Sequence, residues 1–355
     1  MTRRATTRRL VGVWGALALC IFLAAKPSAG QGLEIYFIDV QGGAATLLVT
    51  PERETVLIDC GYATEDDRDP RRIERVLKEV AGLERVDHLV TTHWHRDHAG
   101  GVAGLAKRVE IGRFWDRGLP EDGEPGVEFP IGPGDDDPLG VAYRAASRGK
   151  RTVPKPGDSL PLRGDVSAVV LATSKRMIPP SADTPINPLC QSPPEHFSVT
   201  PGENDWSLAL KFRAGEFDFL ACGDLTWDYE RALVCPHDLI GKIDLFMVTH
   251  HGRNTSNNPI LLRTIEPIVT VMNNGPTKAG DIETVRALRT IPSIQASYQL
   301  HRNIKTGDEG NTDPSLIVND SPEGGRFLHV SVSPDGSTFR VRMDVDGPER
   351  TFESR

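Results

Sequence analysis

The sequence has few cysteines, no internal repeat and only one long hydrophobic run. Its 355 residues include 5 cysteines, too few for a disulfide-stapled miniprotein, and 38% hydrophobic residues, too many for an unfolded tail. The 34 glycines and 27 prolines follow no fixed period, which excludes a collagen-like chain and indicates many loops. A chain of this length can bury a full core, either as one large domain or as two medium ones.

The one long hydrophobic run lies at the N-terminus. It extends over residues 10–25, behind four arginines, and the small residues Ser28, Ala29 and Gly30 follow it. This order is typical of a secretory signal peptide, and the run is shorter than the roughly 20 residues of a membrane span, so an uncleaved anchor is the lesser alternative. We expect residues 1–30 to be cleaved, by the Sec or the twin-arginine route, and the chain to be periplasmic or secreted.

Positive charge is scarce in the mature chain, residues 31–355, which we expect to form a single domain. The segment before it carries five basic residues and no acidic ones, so cleavage changes the formal net charge from −8 to −13. An acidic surface repels phosphate backbones and disfavours broad nucleic-acid binding, although a local basic pocket is compatible with it. We expect a small-molecule or phosphodiester substrate and no membrane contact after cleavage, and the oligomeric state is left open.

Four cysteines remain in the mature chain, and export permits disulfides. Cys60 and Cys222 each end an apolar run, where a buried, unpaired thiol is the simplest interpretation. Cys190 and Cys235 lie in proline-containing loops, so they are the pair that we expect to be bridged.

Short apolar runs predict sheets, and one amphipathic segment predicts a covering helix. The runs IYFIDV, ATLLV and TVLIDC are typical of an antiparallel meander. Asp69 and Pro70 then begin a helix that Gly82 ends. Further strands are predicted at VDHLVTT, VSAVVLAT, DLFMVT and IVTVMNN, with a hairpin that turns at residues 213–216 and another in FLHVSVSPDGSTFRVRM.

Two stretches rich in glycine, proline or aspartate have little periodicity. They cover residues 118–160 and 174–203, and we expect long, mostly irregular loops there, at the rim of the fold. Loops of this length are either lids or disordered segments.

A cluster of potential metal ligands follows the predicted strand VDHLVTT. His93, His95, Asp97 and His98 occur within six residues. Alternate side chains of an extended segment point the same way, so His93 and His95 can bind one cation while the other two turn to a second. Imidazole and carboxylate ligands suit zinc, manganese or iron better than calcium and exclude a thiolate zinc finger. The alternative is a solvated, histidine-rich loop.

Three other strand ends supply candidate site residues. Asp224 follows a buried strand and Gly223, where it could bridge two metals, or alternatively cap the next helix. His250 and His251 end another strand, and we expect one of them to face the centre, because neighbours on an extended chain point to opposite sides. Asp59 could hold a ligand histidine by its distal N–H, or be an ordinary turn aspartate.

In chain order, HWHRDH, CGD and THHG resemble the metallo-β-lactamase superfamily. The segments IYFIDVQGGAATLLV, VLIDCG, THWHRDHAGG, ENDWSLAL, ACGD and VTHHG resemble more closely the metallo-hydrolase domain of bacterial competence DNA-uptake channels and its free-standing secreted relatives. The resemblance covers roughly residues 34–275. It implies an α/β fold, the metallo-β-lactamase-like αββα four-layer sandwich, with a hydrolytic site that holds one or two metals.

The resemblance also implies a role for each ligand. These are His93 and His95 on the first metal, Asp97, His98 and His251 on the second, and Asp224 between the two. His251 is preferred to His250 because superfamily members place this ligand directly before a glycine. Zinc is the expected metal, as one or two ions, with manganese or iron as alternatives.

The chain departs from the family pattern at two places. The third histidine of the first site has no counterpart, since Asn204 stands at the matching position, and His196 upstream is more simply a surface residue than a substitute. The first loop reads DVQGGA from Asp39 to Ala44 and lacks the last carboxylate of competence-type domains. These departures argue against β-lactam and DNA cleavage and favour one tightly bound and one labile metal.

The ligand set predicts a metal-dependent hydrolase in which a metal-bound hydroxide attacks an ester-like bond. Asp97 is a candidate to pass a proton to the leaving group, and Asn204 is a candidate weak ligand or hydrogen-bond donor to a developing oxyanion. Phosphodiesters are the favoured substrates, lactones or carboxylic esters come second, and β-lactams come last. The alternative of another class is a non-catalytic metal- or partner-binding protein on a hydrolase scaffold.

Overall fold

A computed structural model describes residues 1–2, 32–123, 132–191 and 200–355, so His196 and all but the first two residues of the predicted signal peptide lie outside the described residues. The described part contains seventeen β-strands and seven α-helices. The strands are β1 (Glu34–Ile38), β2 (Thr46–Val49), β3 (Thr55–Ile58), β4 (Arg85–Thr91), β5 (Glu110–Asp116), β6 (Arg151–Thr152), β7 (Ser167–Thr173), β8 (Arg176–Met177), β9 (Ala209–Ala214), β10 (Phe217–Ala221), β11 (Leu245–Met247), β12 (Val269–Met272), β13 (Ala296–His301), β14 (Ile317–Asn319), β15 (Phe327–Val332), β16 (Thr338–Met343) and β17 (Glu349–Glu353). The helices are α1 (Arg68–Arg75), α2 (Arg96–Ala99), α3 (Val102–Ala106), α4 (Pro138–Ser147), α5 (Trp227–Ala232), α6 (Pro259–Ile265) and α7 (Ile282–Arg289).

The described strands form two mixed sheets. The first has the order β17-β16-β15-β1-β2-β3-β4-β5-β6, and the second has the order β14-β13-β12-β11-β10-β9-β7-β8. The antiparallel meander β1-β2-β3 and both hairpins, β9-β10 and β15-β16, are confirmed, with Ala214 opposite Phe217 across the first hairpin. Beyond the meander, β3, β4 and β5 run parallel, as do β10, β11, β12 and β13.

Three hydrophobic clusters show how the layers are stacked. The largest lies between the sheets and joins, for example, Phe37 and Leu48 of the first sheet to Phe219 of the second. A second cluster packs the outer face of the first sheet against α1, α3 and α4, and a third packs the outer face of the second sheet against α6 and α7. The predicted αββα four-layer sandwich is therefore confirmed.

The carboxyl ends of the parallel strands meet at one edge of the sandwich. Asp59 follows β3, His93 comes two residues after β4, Asp224 comes three residues after β10, and His251 comes four residues after β11. Polar residues just beyond such strand ends converge on a shared crevice. Residues from both sheets are thus brought to the same place, although they lie far apart in the sequence.

Two local features differ from the expectations. The stretch 118–160 contains helix α4, which starts at Pro138 and is capped by Asp137, whose carboxylate accepts a hydrogen bond from the N–H of Leu139. Its Tyr143 is fully buried, so this helix is part of the outer layer. The first helix begins at Arg68, and the Asp69 carboxylate, predicted as a cap, instead accepts from the N–H of Tyr62.

The predicted pairing of the cysteines is confirmed. Cys190 and Cys235 form a disulfide that closes a loop of 45 residues, whereas Cys60 and Cys222 are unpaired and buried. The bridge ties the second long loop to the segment after α5. No helix within the described ranges has both the length and the apolar character needed to cross a bilayer.

Candidate metal centre

The segment that follows β4 is held by Asp59. The carboxylate of Asp59 accepts hydrogen bonds from the N–H and the Oγ1 of Thr92, both at 2.8 Å, and from Nδ1 of His98 at 2.7 Å. Asp59 is completely buried and has a left-handed backbone, with φ of 59°. A non-glycine residue in this conformation is strained, so the surrounding hydrogen bonds must hold it in place. Asp59 thereby fixes both ends of the turn that carries the histidines.

The hydrogen-bond partners set the tautomers of three buried histidines. Nδ1 of His98 donates to the Asp59 carboxylate, and Nδ1 of His251 lies 3.2 Å from the carbonyl oxygen of Asn273, which can only accept. Nδ1 of His93 lies 3.1 Å from Oγ1 of Thr92, which already donates its proton to Asp59 and so accepts here. In the neutral form of all three rings these partners place the proton on Nδ1, and a lone pair is left on Nε2.

These Nε2 lone pairs converge. Nε2 of His98 and Nε2 of His251 are 3.0 Å apart, and Nε2 of His93 is 3.0 Å from Nδ1 of His95. Two such nitrogens at this separation share either a proton or a metal cation, because two unscreened lone pairs would repel each other. The arrangement therefore fits metal ions coordinated by imidazole nitrogen.

Two groups of donor atoms share the Asp224 carboxylate. The potential ligands within each group lie within 4.8 Å of one another: His93, His95 and Asp224 in the first group, and Asp97, His98, Asp224 and His251 in the second. One oxygen of Asp224, Oδ2, lies 3.3 Å from Nε2 of His98 and 3.8 Å from Nε2 of His93. The structure thus brings together the residues that the sequence assigned to a first and a second metal. Their role as ligands stays a prediction.

Glycine is required behind the shared carboxylate. Gly223 has φ of 55°, and a Cβ atom there would lie only 3.0 Å from Cβ of Thr92. Because Gly223 has no side chain, the end of β10 can pack directly against the turn after β4, and Asp224 comes to lie next to the histidines. The alternative role of Asp224 as a helix cap is wrong, because the N-cap of α5 is Thr226.

The electrostatics of the cluster favour a bound cation. Burial lowers the pKa of His98, but the carboxylates of Asp224, Asp59 and Asp97 outweigh burial and raise this pKa well above its usual value. Burial raises the pKa of Asp224, but His98 and other histidines outweigh it and hold this pKa well below its usual value. Among the described residues, the only lysine or arginine bonded to any of the three carboxylates is Lys278. Three nearly enclosed carboxylates therefore favour cations here, either protons on the histidines or metal ions that take their place.

His250 and His251 both lie near Asp224, which the sequence did not predict. Their φ angles are 56° and 55°, so the expectation of an extended chain with opposed side chains is wrong. Nδ1 of His250 donates to Oγ of Ser256, and its Nε2 lies 3.5 Å from Oδ2 of Asp224 and 3.2 Å from Nδ2 of Asn204. His250 therefore lies against the centre but belongs to neither donor group.

Asn204 occupies the wall where the family pattern has a third histidine. Its Nδ2 donates to Nε2 of His250, while its Oδ1 is buried and has no hydrogen-bond partner among the described residues. A buried amide oxygen without a partner is costly, so a group supplied by a ligand would satisfy it. The turn that carries Asn204 is fixed by Glu203, whose carboxylate accepts from Nε of the buried Arg117 and from the N–H of Trp94.

Lys278 and Tyr62 lie at the centre although no sequence motif marks them. Nζ of Lys278 donates to the carboxylate of Asp97 and, at 2.8 Å, to the hydroxyl oxygen of Tyr62. Lys278 follows β12 in a loop without a recognisable motif, and Asp97 is 181 residues away, so only the folded structure reveals the contact. The lysine puts a positive charge at the edge of the second donor group.

Known proteins resemble this chain in sequence and fold. A family model described as the metallo-beta-lactamase superfamily matches residues 39–265. ComE operon protein 3 of Bacillus subtilis is 25% identical over 256 residues, 68% of this chain and 28% of that protein, and ribonuclease Z of Bradyrhizobium diazoefficiens is 37% identical over 59 residues, 17% of each chain. The match thus covers less than a third of either relative. CmlA, a diiron beta-hydroxylase from Streptomyces venezuelae, has a TM-score of 0.40 at 14% identity over 74% of this chain and 47% of its own.

Proposed function

Because the chain belongs to the metallo-β-lactamase superfamily of hydrolases, we propose that it hydrolyses phosphodiester bonds with the help of one or two divalent metal ions, zinc in the first place. The observation that carries the proposal is the pair of donor groups that share the Asp224 carboxylate. The donors are nitrogen and carboxylate oxygen without thiolate, a set that suits zinc, manganese or iron.

The bound metal would polarise the substrate oxygen and lower the pKa of a coordinated water towards neutrality. The residues of the chain would then have separate tasks. Nε2 of His98 and Nε2 of His251 would hold one ion, and the Asp224 carboxylate would hold both. Asp59 keeps the proton of His98 on Nδ1. It thereby keeps the metal-facing lone pair available.

Two further side chains would act on the substrate. The amide of Asn204 lies at the edge of the first donor group, where it would donate a hydrogen bond to a substrate oxygen that gains negative charge. The Asp97 carboxylate would accept a proton and pass it to the leaving group, and Lys278 keeps it oriented.

Two observations support a phosphodiester over a β-lactam. The first donor group has Asn204 where the family pattern has a third histidine. The chain is also locally similar to ribonuclease Z, a protein named for its action on RNA. Lactones and carboxylic esters are the second candidates.

The test is turnover of bis-p-nitrophenyl phosphate beside a chromogenic lactam and a p-nitrophenyl carboxylic ester. We expect phosphodiester hydrolysis that stops on chelation and returns with zinc, and that is lost in Asp97→Ala. Asp165→Ala, which removes an exposed aspartate of a surface turn, serves as the matched control. Faster hydrolysis of the lactam or the ester would replace the proposed substrate, and no metal-dependent turnover would favour a binding protein.

We also propose that the protein is exported and acts on substrates that reach it outside the cytoplasm. The arginine-rich, apolar composition of residues 1–30 and the Cys190–Cys235 disulfide support this proposal. The net charge of −13 after cleavage favours a small substrate over long nucleic acids. The cleavage is tested by isolating the protein from the periplasm or the medium and measuring its mass by mass spectrometry, which identifies the N-terminal residue.

A further inference from the structure

A cavity of about 390 Å³ lies beside the candidate metal centre. Its lining includes three threonines, Thr200, Thr226 and Thr255, together with Asn204, His250 and Arg253. Two of these residues, Asn204 and His250, also contact each other at the edge of the first donor group. A ligand in the cavity would therefore touch the residues that flank the shared Asp224 carboxylate.

Arg253 carries the one permanent positive charge among the described residues of this lining. It is half-buried, and within the described part of the chain neither a carboxylate nor a carbonyl oxygen pairs with its guanidinium. The guanidinium therefore lines a space that a ligand can enter and is available to it.

Among the residues that the structure describes, no carboxylate in the cavity wall bonds this arginine. The nearby carboxylate of Asp205 is bonded to two residues of the wall. Its Oδ1 accepts from Oγ1 of Thr226 at 2.5 Å, and its Oδ2 accepts from the N–H of Gly202 at 3.1 Å. Both of its oxygens are thus already used. The free hydrogen-bonding capacity of the cavity consists of hydroxyls, one amide and one guanidinium, which together suit an anion.

The backbone around Arg253 is fixed before any ligand arrives. Its N–H donates to the carbonyl oxygen of His250 at 2.9 Å, and its own carbonyl accepts from the N–H of Ser256 and from Nδ2 of Asn257. A guanidinium on an ordered backbone presents a planar pair of donors that matches two phosphate oxygens. Such preorganisation lowers the entropic cost of binding.

We infer that Arg253 is a specificity-determining residue that binds an anionic phosphate group of the substrate in this cavity. The inference rests on the proposed function and adds a requirement to it: the substrate carries a negative charge next to the reacting bond, in a group small enough for the cavity. A neutral ester or lactone gains nothing from Arg253.

The test measures binding, so that it does not depend on turnover. Dimethyl phosphate, an anion, and trimethyl phosphate, a neutral molecule of similar shape, are titrated calorimetrically into the metal-loaded wild type and into Arg253→Gln, Arg253→Lys and Arg263→Gln. Arg263 lies on the exposed face of α6 and supplies a control for the loss of one positive charge.

We expect Arg253→Gln to weaken dimethyl phosphate binding about tenfold or more, because a charge-assisted hydrogen bond is lost. Arg253→Lys should recover part of this loss, while Arg263→Gln and the affinity for trimethyl phosphate should stay unchanged. Equal weakening of both phosphates would indicate a structural role and overturn the inference, as would no binding of dimethyl phosphate by the wild type.

Failure of this inference and failure of the proposed function give different results. Metal-dependent phosphodiester turnover with an unchanged KM in Arg253→Gln would retain the function and reject the role of Arg253. Arg253-dependent binding of dimethyl phosphate without turnover of any substrate would retain the anion site and reject the hydrolase.

Discussion

The two donor groups of the metal centre differ in how well their ligands are held. In the second group, His98 is oriented by Asp59 and His251 by the carbonyl of Asn273, and both rings are buried. In the first group, the ring of His95 is exposed, and His93 is its only hydrogen-bonding neighbour in the described ranges.

The affinity of a metal site thus depends on how firmly its ligands are oriented as well as on their number. A ligand whose ring is fixed by a carboxylate or carbonyl reaches the metal without losing further conformational freedom. An exposed ligand must be immobilised at the moment of binding. We therefore expect a tightly held ion in the second group and a labile ion in the first.

The largest effect is expected from Asp224→Ala, which removes the carboxylate that both groups share. Both ions should be lost, and hydrolysis should fall about a thousandfold or more, because the metals supply several kcal/mol of transition-state stabilisation. Metal content by plasma mass spectrometry and turnover of bis-p-nitrophenyl phosphate measure this, with Asp165→Ala as the control. Retention of one ion at the wild-type level would show that the groups do not depend on a common ligand.

The difference in metal affinity between the two donor groups is tested by comparing His251→Ala with His95→Ala. We expect His251→Ala to lose the tightly held ion, and His95→Ala to keep about one ion per chain after dialysis against a weak chelator. Both variants remove one imidazole, so each is the control for the other. Two equally retained ions in the wild type would contradict the predicted asymmetry.

A smaller effect is expected from Asp59→Asn, which leaves all ligands in place. The amide keeps the shape of the side chain but loses the negative charge that holds the Nδ1 proton of His98. Metal affinity should fall about 10- to 100-fold, as measured by competition with a chromogenic chelator. An unchanged affinity would show that the orientation of His98 does not depend on the carboxylate.

The smallest effect on metal binding is expected from Glu230→Gln, outside both donor groups. Burial raises the pKa of Glu230 from 4.5 to about 7, and its Oε2 accepts from the N–H of Asn258. Since the native state holds this proton more tightly, the wild type loses stability as pH rises from about 4.5 to 7, by up to about 3 kcal/mol.

The glutamine variant lacks this titration. Its unfolding free energy, relative to wild type, should therefore increase from pH 5 to pH 8, while its metal content should stay unchanged. Denaturant unfolding of both proteins at each pH measures the difference. A constant difference across this range would mean that Glu230 does not titrate there.

The features that the sequence predicts best are those that short segments determine by themselves. A buried strand followed at once by candidate ligands places His93 and Asp224 at strand ends, and the Cys190–Cys235 bridge follows from two loop cysteines in a chain that is predicted to be exported. Helix α4 was missed although Asp137 and Pro138 form a recognisable start, because the surrounding glycines and prolines suggested a loop.

What the sequence did not predict depends on contacts between distant segments. The left-handed conformations of His250 and His251 arise in a tight turn that the period of an extended strand does not reveal. The contact of Lys278 with Tyr62 joins residues 216 positions apart, and no motif marks either of them. The cavity around Arg253 likewise requires two loops that only the fold brings together.

The origin of the ligands has a mechanical consequence for the whole sandwich. His93 and His98 follow a strand of the first sheet, whereas Asp224 and His251 follow strands of the second, so an ion bound by either donor group would act as a cross-link between the halves. Metal that binds only the native chain raises the unfolding free energy, by about 2.7 kcal/mol at a hundredfold excess over Kd. The ion would thus join the two sheets at the edge of the sandwich, where the hydrophobic core between them ends and solvent begins.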